Sequence, residues 1–181
     1  MNFVGVKWHI LRLINSHLRG GIILNTVFGE NVGIIIDLRE INQVILEKKT
    51  GVSRQTINKA LQISMNNEYN IKLETAILIA KGLNVDFPRL FSRLNKEQLN
   101  SINTYSHDEF LQIFIQNVKR ELKGRKQKKL SSEPGIEEST VSQILNGRVS
   151  NPRLSSIVYI AELLNREIES LFTRGGTDYD I

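Results

Sequence analysis

The chain writes the same pattern twice, and that repetition limits what its 181 residues can fold into more than any other property. The first copy reads Gln43, Leu46, Gly51-Val52-Ser53-Arg54-Gln55-Thr56-Ile57, then Asn70, Leu73, Ala76, Ile79-Ala80, Leu83-Asn84 and Leu90-Phe91. The second reads Gln127, Leu130, Gly135-Ile136-Glu137-Glu138-Ser139-Thr140-Val141, then Asn151, Leu154, Ile157, Ile160-Ala161, Leu164-Asn165 and Leu171-Phe172. The offset is 127 − 43 = 84 as far as Ile57 and Val141 and 161 − 80 = 81 from Asn70 and Asn151 onward, so the copies differ by three residues in one loop. Self-similarity of this length marks an internal duplication, and both copies must fold by the same local rules.

Within each copy, apolar residues recur at three and four positions rather than alternating, which predicts helices throughout. Phe110, Ile113, Phe114, Val118 and Leu122 form one such stripe, and Ser106 with Glu109 supplies a capping box at its start. Leu154, Ile157, Val158, Ala161 and Leu164 form another; Asn151 is expected to cap that helix, with Pro152 in its first turn. The matching helix of the first copy carries Leu73, Ala76, Ile77, Ala80 and Leu83. Between the stripes, a short helix led by Gln43 or Gln127 is followed by a turn at Gly51 or Gly135 and a second short helix. Glycine suits that turn because the chain leaves the first helix through a left-handed residue. Ile57 and Val141 are the residues that would pin the second short helix to the core and leave its opposite face projecting.

Composition removes several classes of function. There is no cysteine, so neither a disulfide framework nor a thiolate metal site is available. His9, His17 and His107 are scattered, with no ligand spacing among them. No Gly-rich phosphate loop, nucleophile elbow or His-Glu-x-x-His helix occurs, so no enzyme activity and no cofactor is expected. The 24 basic against 19 acidic residues, with pI near 9.5, favour an anionic partner without deciding for one. Near the N-terminus, Trp8, Leu11, Ile14 and Leu18 share a helical face, but Lys7, His9, Arg12 and Arg19 break any run long enough for a membrane span or signal core. A cytoplasmic protein is expected, with an organelle presequence the alternative because the first 29 residues contain no acid.

Both repeats resemble the Cro and phage-repressor (Xre-type) helix-turn-helix family, and the resemblance covers about residues 32 to 93 and 107 to 174. It implies an all-α chain of two tandem lambda-repressor-like bundles. The expected organisation is an N-terminal extension over 1–31 packing on the first domain, a first domain over 32–93, a polar linker over 94–106, a second domain over 107–174 and a tail over 175–181. The function implied is a sequence-specific transcriptional regulator, more often a repressor, occupying operator DNA. The alternative is a protein-binding module, such as an antitoxin, anti-repressor or adaptor, that kept the scaffold. Double-stranded DNA is the expected partner, with a homodimer or a protein partner as the rival and no membrane involvement.

In this family the second short helix lies in the major groove, with its N-terminal residues on base edges. By position, the first copy offers Ser53, Arg54, Gln55, Asn58 and Lys59; Arg can fork onto guanine and Gln onto adenine. Gln43 matches the place where the family sets a glutamine on a backbone phosphate. The second copy offers Gln127, Glu138, Ser139, Gln143, Asn146 and Arg148. Glu137 and Glu138 would repel a polyanion unless one accepts from a cytosine amino group. Lys119, Arg120, Lys123, Arg125, Lys126, Lys128 and Lys129 crowd the turn ahead of Gln127 and suit phosphate anchoring. The ordinary alternative for either set is a solvated helix face. The first copy is also greasier, through Ile34, Ile35, Ile36, Leu38, Ile41, Val44 and Ile45, and such a surface needs a cover. A flexible tether of about 14 residues, spanning roughly 20 Å, would let the two heads reach half-sites about one DNA turn apart.

Overall fold

The computed structural model describes residues 20–62, 71–92, 105–122 and 138–174, and among them the architecture is all-helical, with one isolated β-bridge. The first repeat supplies α1 (Gly20–Leu38), α2 (Gln43–Thr50), α3 (Arg54–Leu61), α4 (Leu73–Gly82) and a 3-10 helix (Phe87–Phe91). The second supplies α5 (His107–Glu121), α6 (Glu138–Leu145), α7 (Leu154–Leu163) and α8 (Ile168–Leu171). No helix among the described residues is long and apolar enough to cross a membrane, and no cluster of His, Cys, Asp or Glu there can hold a metal ion.

The local rules read from the sequence operate at most helix ends. Ser106 accepts from the Glu109 N–H at 3.2 Å while the Glu109 carboxylate accepts from the Ser106 N–H at 2.8 Å, closing the capping box of α5. Hydrogen bonds from the Ser106 N–H and the Ser106 hydroxyl hold the Glu109 carboxyl below its ordinary pKa. Asn42 caps α2 through the Ile45 N–H at 2.9 Å, and Ser53 caps α3 through the Thr56 N–H at 3.3 Å. The turn between α2 and α3 passes through Gly51 at φ 71°, as the chain reversal requires. Helices α4 and α7 end alike. Asn84 (φ 57°) and Asn165 (φ 52°) turn left-handed, and the next amides, Val85 and Arg166, return to Ala80 and Ala161, both at 3.0 Å. Asparagine tolerates this geometry better than other residues with a side chain.

Helix α1 spans Gly20–Leu38, across the boundary expected between residues 31 and 32. Its buried stripe is Phe28, Val32 and Ile35, and a buried Asn31 lies within it. The Asn31 amide donates to the carbonyls of Leu90 and Ser92, both at 2.9 Å. Asn117 in α5 does the same to Leu171 at 2.9 Å and Thr173 at 3.0 Å. The repeat thus extends upstream at a third offset, 117 − 31 = 86, with Phe28 matching Phe114 and Val32 matching Val118. Each clamp ties the first helix of a repeat to the carbonyls that end it. Gly29 permits the close crossing of α1 over α3, because a Cβ there would stand 2.7 Å from the Ala60 carbonyl oxygen. Residues 1–19, whose packing on the first domain was expected, lie outside the described residues, as do most of the 94–106 linker and all of the 175–181 tail.

The two repeats are packed against each other around one continuous core, in place of the flexibly tethered heads expected from the linker composition. Helix α1 lies on α7, α5 lies on α4, and the 3-10 helix meets α8. Phenylalanine rings run through the centre. Phe28 meets Phe91 (5.3 Å between centroids), Phe91 meets Phe87 (5.4 Å), Phe87 meets Phe172 (5.1 Å), and Phe172 meets Phe114 (5.2 Å). Aromatic pairs of this geometry contribute about 0.5–1.5 kcal/mol beyond burial itself. The rings are large and buried, so the surface they would expose on separation makes the packed arrangement the stable one.

The starts of α4 and α7 pair as the antiparallel bridge Lys72–Arg153, with the Leu73 N–H on Pro152 O and the Leu154 N–H on Ile71 O, both at 2.9 Å. Here the expected local capping by Asn151 gives way to capping across the repeats. Asn151 Oδ1 accepts from the Glu74 N–H of α4 at 3.2 Å, and its amide donates to the Glu74 carboxylate at 2.9 Å. Arg153, not Asn151, occupies the N-cap position of α7, which places Pro152 ahead of the first turn. An ion pair, Arg89 Nη1 to Glu169 Oε1 at 2.6 Å, closes the other side of the contact.

Candidate nucleic-acid interface

Helix α3 is anchored on one face by Ile57 and Ala60, both fully buried, and this fixes which side chains project. Ser53, Arg54, Gln55 and Lys59 are exposed, while Asn58 and Gln43 are half-buried. Gln55 and Lys59 stand one turn apart on the outer face, as do Arg54 and Asn58 beside them. The reading residues expected in the first copy therefore lie together on α3 and its N-cap, and Gln43 opens the preceding helix α2. Lys48 and Lys49, at the end of α2, are exposed as well.

One neighbour gains a role that the sequence comparison did not assign. Glu47 Oε2 lies 3.0 Å from Arg54 Nε, and its other oxygen accepts from the Arg54 N–H at 3.2 Å. The carboxylate thus caps the start of α3 and holds the guanidinium from behind, leaving 60% of the Arg54 side chain exposed. A pair this exposed contributes little to stability, about 0–1 kcal/mol, so its effect is on the direction in which Arg54 points. The signal was present as a carboxylate seven residues ahead of Arg54, where the second copy has the small Ser131.

In the second copy, α6 is anchored by Val141, Ile144 and Leu145. Ser139 and Gln143 are exposed one turn apart at the places matching Gln55 and Lys59 (139 − 55 = 84; 143 − 59 = 84). Beyond them, Asn146 is exposed and donates to Ser142 Oγ at 3.2 Å. The chain then turns through Gly147 at φ 67°, and Arg148 is exposed immediately after it. Lys126, Gln127 and Lys128 lie outside the described residues, as does the side chain of Glu138; of the basic run, Lys119 and Arg120 are exposed in the last turn of α5.

Two further cations come together where the repeats meet. Lys72 and Arg153 are paired through the bridge, both are exposed, and Lys72 Nζ donates to the Asn151 carbonyl at 3.2 Å. Each follows the short helix of its own repeat, Lys72 joining α3 to α4 and Arg153 joining α6 to α7. They were legible as a match at 153 − 72 = 81, both basic, but nothing in the sequence pointed to their pairing.

Chemically, the first face offers a guanidinium, two amides, a hydroxyl and an ammonium, which are donors suited to phosphate oxygens and to purine edges. The second offers a hydroxyl and amides, with Arg148 at its end. The apolar residues Ile34, Leu38, Val44 and Ile45 are also exposed, on α1 and α2 of the first repeat. No family model, no curated protein and no solved structure matches the chain.

Proposed function

We propose that the chain is a sequence-specific DNA-binding regulator that represses by occupying its operator, with each repeat a lambda-repressor-like unit. The observation that carries this reading is α3. A short helix has its back pinned by Ile57 and Ala60, and its capped N-terminal end projects Ser53, Arg54 and Gln55 into solvent. Such an end, with its fork-shaped and amide side chains, has the chemistry that reads base edges in a major groove. Lys48, Lys49 and Lys59 add positive charge around it, suited to phosphate contacts.

The test is competition between selected operator and random DNA. Arg54→Ala and Gln55→Ala should each lose about 1–3 kcal/mol of discrimination, a factor of roughly 5 to 150, with the helical content unchanged. Equal binding to both DNAs by the unsubstituted chain, or discrimination untouched in both variants, would remove α3 from this role.

The second reading, a protein-binding module, is favoured by one observation. Ile34 and Leu38 of α1 and Val44 and Ile45 of α2 are large apolar side chains left exposed. Replacing Ile34 and Leu38 with polar residues distinguishes the two, because it leaves DNA binding intact under the first reading and abolishes the activity under the second.

A further inference from the structure

The helix contacts and the bridge between the repeats obey one rule, in that each has a counterpart obtained by exchanging the copies; the Arg89–Glu169 ion pair does not, since the matching positions are Ser170 and Pro88. Helix α1 on α7 matches α5 on α4, the 3-10 helix meets its own equivalent α8, and Lys72 pairs with its own equivalent Arg153. Within each half, Asn31 and Asn117 make the same clamp. The chain therefore has the plan of a two-fold dimer written in one polypeptide. Nothing in the contact surface resembles a hinge, because it holds buried Phe87, Phe110 and Phe172, two backbone hydrogen bonds at the bridge, the cap from Asn151 to α4 and the Arg89–Glu169 pair.

Building on the reading of α3 and α6 as DNA-facing helices, we propose that one chain is a preassembled rigid reader of a single non-palindromic DNA site. That site has two unlike half-sites at one fixed spacing. A homodimer presents the same side chains twice and so selects a palindrome. Here the matched positions differ, with Gln55 and Lys59 on one side and Ser139 and Gln143 on the other, and Arg54 has no cationic counterpart at position 138. The two halves must then select different bases. Lys72 and Arg153, exposed at the exchange point, supply positive charge for the backbone between the half-sites.

The experiment is selection of random double-stranded DNA on the full chain, followed by native mass spectrometry of the complex and a spacing series on the selected site. The expected result is a motif with two different halves, bound one chain to one duplex. Inserting five base pairs between the halves, about half a helical turn, turns one half to the far side and weakens binding on the order of 100-fold or more. Inserting ten restores the facing but adds about 34 Å, which a rigid body cannot span, so affinity stays low. A palindromic motif, two chains per site, or recovery at ten base pairs would overturn the proposal while leaving DNA binding in place. Failure to enrich any sequence would overturn the DNA reading and this inference together. The decisive perturbation is made in the DNA, so the folding of a variant does not enter. Replacing Lys72 and Arg153 together with alanine should weaken all sequences equally and lower the salt slope by about two, and an unchanged slope would remove them from the centre of the site.

Discussion

The twin asparagine clamps allow a comparison, because their donor bonds match and only Asn31 carries a buried Oδ1 with no hydrogen-bond partner. Asn117→Ala removes two donors, from the Leu171 carbonyl at 2.9 Å and from the Thr173 carbonyl at 3.0 Å; the first bond is buried and the second partly so. A buried hydrogen bond contributes about 0.5–1.5 kcal/mol net, and a buried carbonyl left unpaired costs about 1–3 kcal/mol. Water can reach the partly buried carbonyl, so the loss should be roughly 2–4 kcal/mol. Asn31→Ala removes the equivalent pair, to Leu90 and Ser92. It also removes an Oδ1 that is buried with no hydrogen-bond partner, a group that opposes folding. The net loss there should be smaller, about 1–2 kcal/mol. At ~2–4 °C per kcal/mol for a chain of this size, Asn117→Ala should lower Tm by roughly 5–15 °C and Asn31→Ala by about half as much. Calorimetry and circular dichroism of both variants in one buffer measure this. Each substitution should move a single transition, because the repeats share one core. If Asn31→Ala cost as much as Asn117→Ala, the reasoning from the orphaned oxygen would fall. Two separable transitions, only one of them displaced, would refute the shared core.

Two further predictions concern a carboxylate and a pair of glycines. Burial raises the Asp86 carboxyl above its ordinary 3.8, helped by Glu169 and opposed by Arg89 and the Phe87 amide. The folded state therefore holds that proton more tightly than the unfolded chain. Stability falls as pH rises from the unfolded value through the raised folded one, and stays low above it. Asp86→Asn should accordingly be more stable than the parent at pH 7 and indistinguishable from it near pH 3, as read by Tm across that range; a variant less stable at pH 7 would contradict the sign. Gly29→Ala would place its Cβ 2.7 Å from the Ala60 carbonyl oxygen, where the backbone cannot yield. The clash should outweigh the ~1 kcal/mol gained in helix propensity and destabilise by about 1–2 kcal/mol. At Gly33 the nearest atom is Leu61 Cδ2 at 3.7 Å, so Gly33→Ala keeps the propensity gain and should stabilise by about 0.5–1 kcal/mol in chemical denaturation.

What was legible in the sequence was mostly local. The Ser106–Glu109 box, the Ser53 cap, the left-handed Gly51 and the burial of Ile57 and Val141 each follow from a few residues in one stretch of chain. So does the grouping of Ser53, Arg54, Gln55 and Lys59 on one helix end, because a pinned 3.6-residue period leaves those side chains only one direction. The place of Phe28, Asn31 and Val32 in the first repeat was obscured by register. The repeat offset is 86 at Asn31, 84 at Gln43 and 81 at Leu73, so a comparison anchored on the glycine loses the match upstream. The docking of the repeats was hidden for a different reason. Phe87, Phe110 and Phe172 look like ordinary core residues of their own copies, and an apolar side chain carries no mark of which neighbour it will meet. Asn151 was misread on the same account. Its place ahead of Pro152 suggests a local cap, whereas the amide it serves belongs to Glu74, 77 residues earlier.

That long reach bears on how the protein is made. The first amides of α4 are satisfied by Pro152 and Asn151, and Phe87 is covered by Phe110 and Phe172. A nascent chain that has completed only the first repeat therefore carries a helix with its leading amides unanswered and a bare aromatic surface. Contacts of such sequence separation form slowly, and synthesis at about 5–20 residues per second leaves that surface open for several seconds. The first repeat must wait on the ribosome for the second, which gives this chain a vulnerable interval that two separately folding domains would not have.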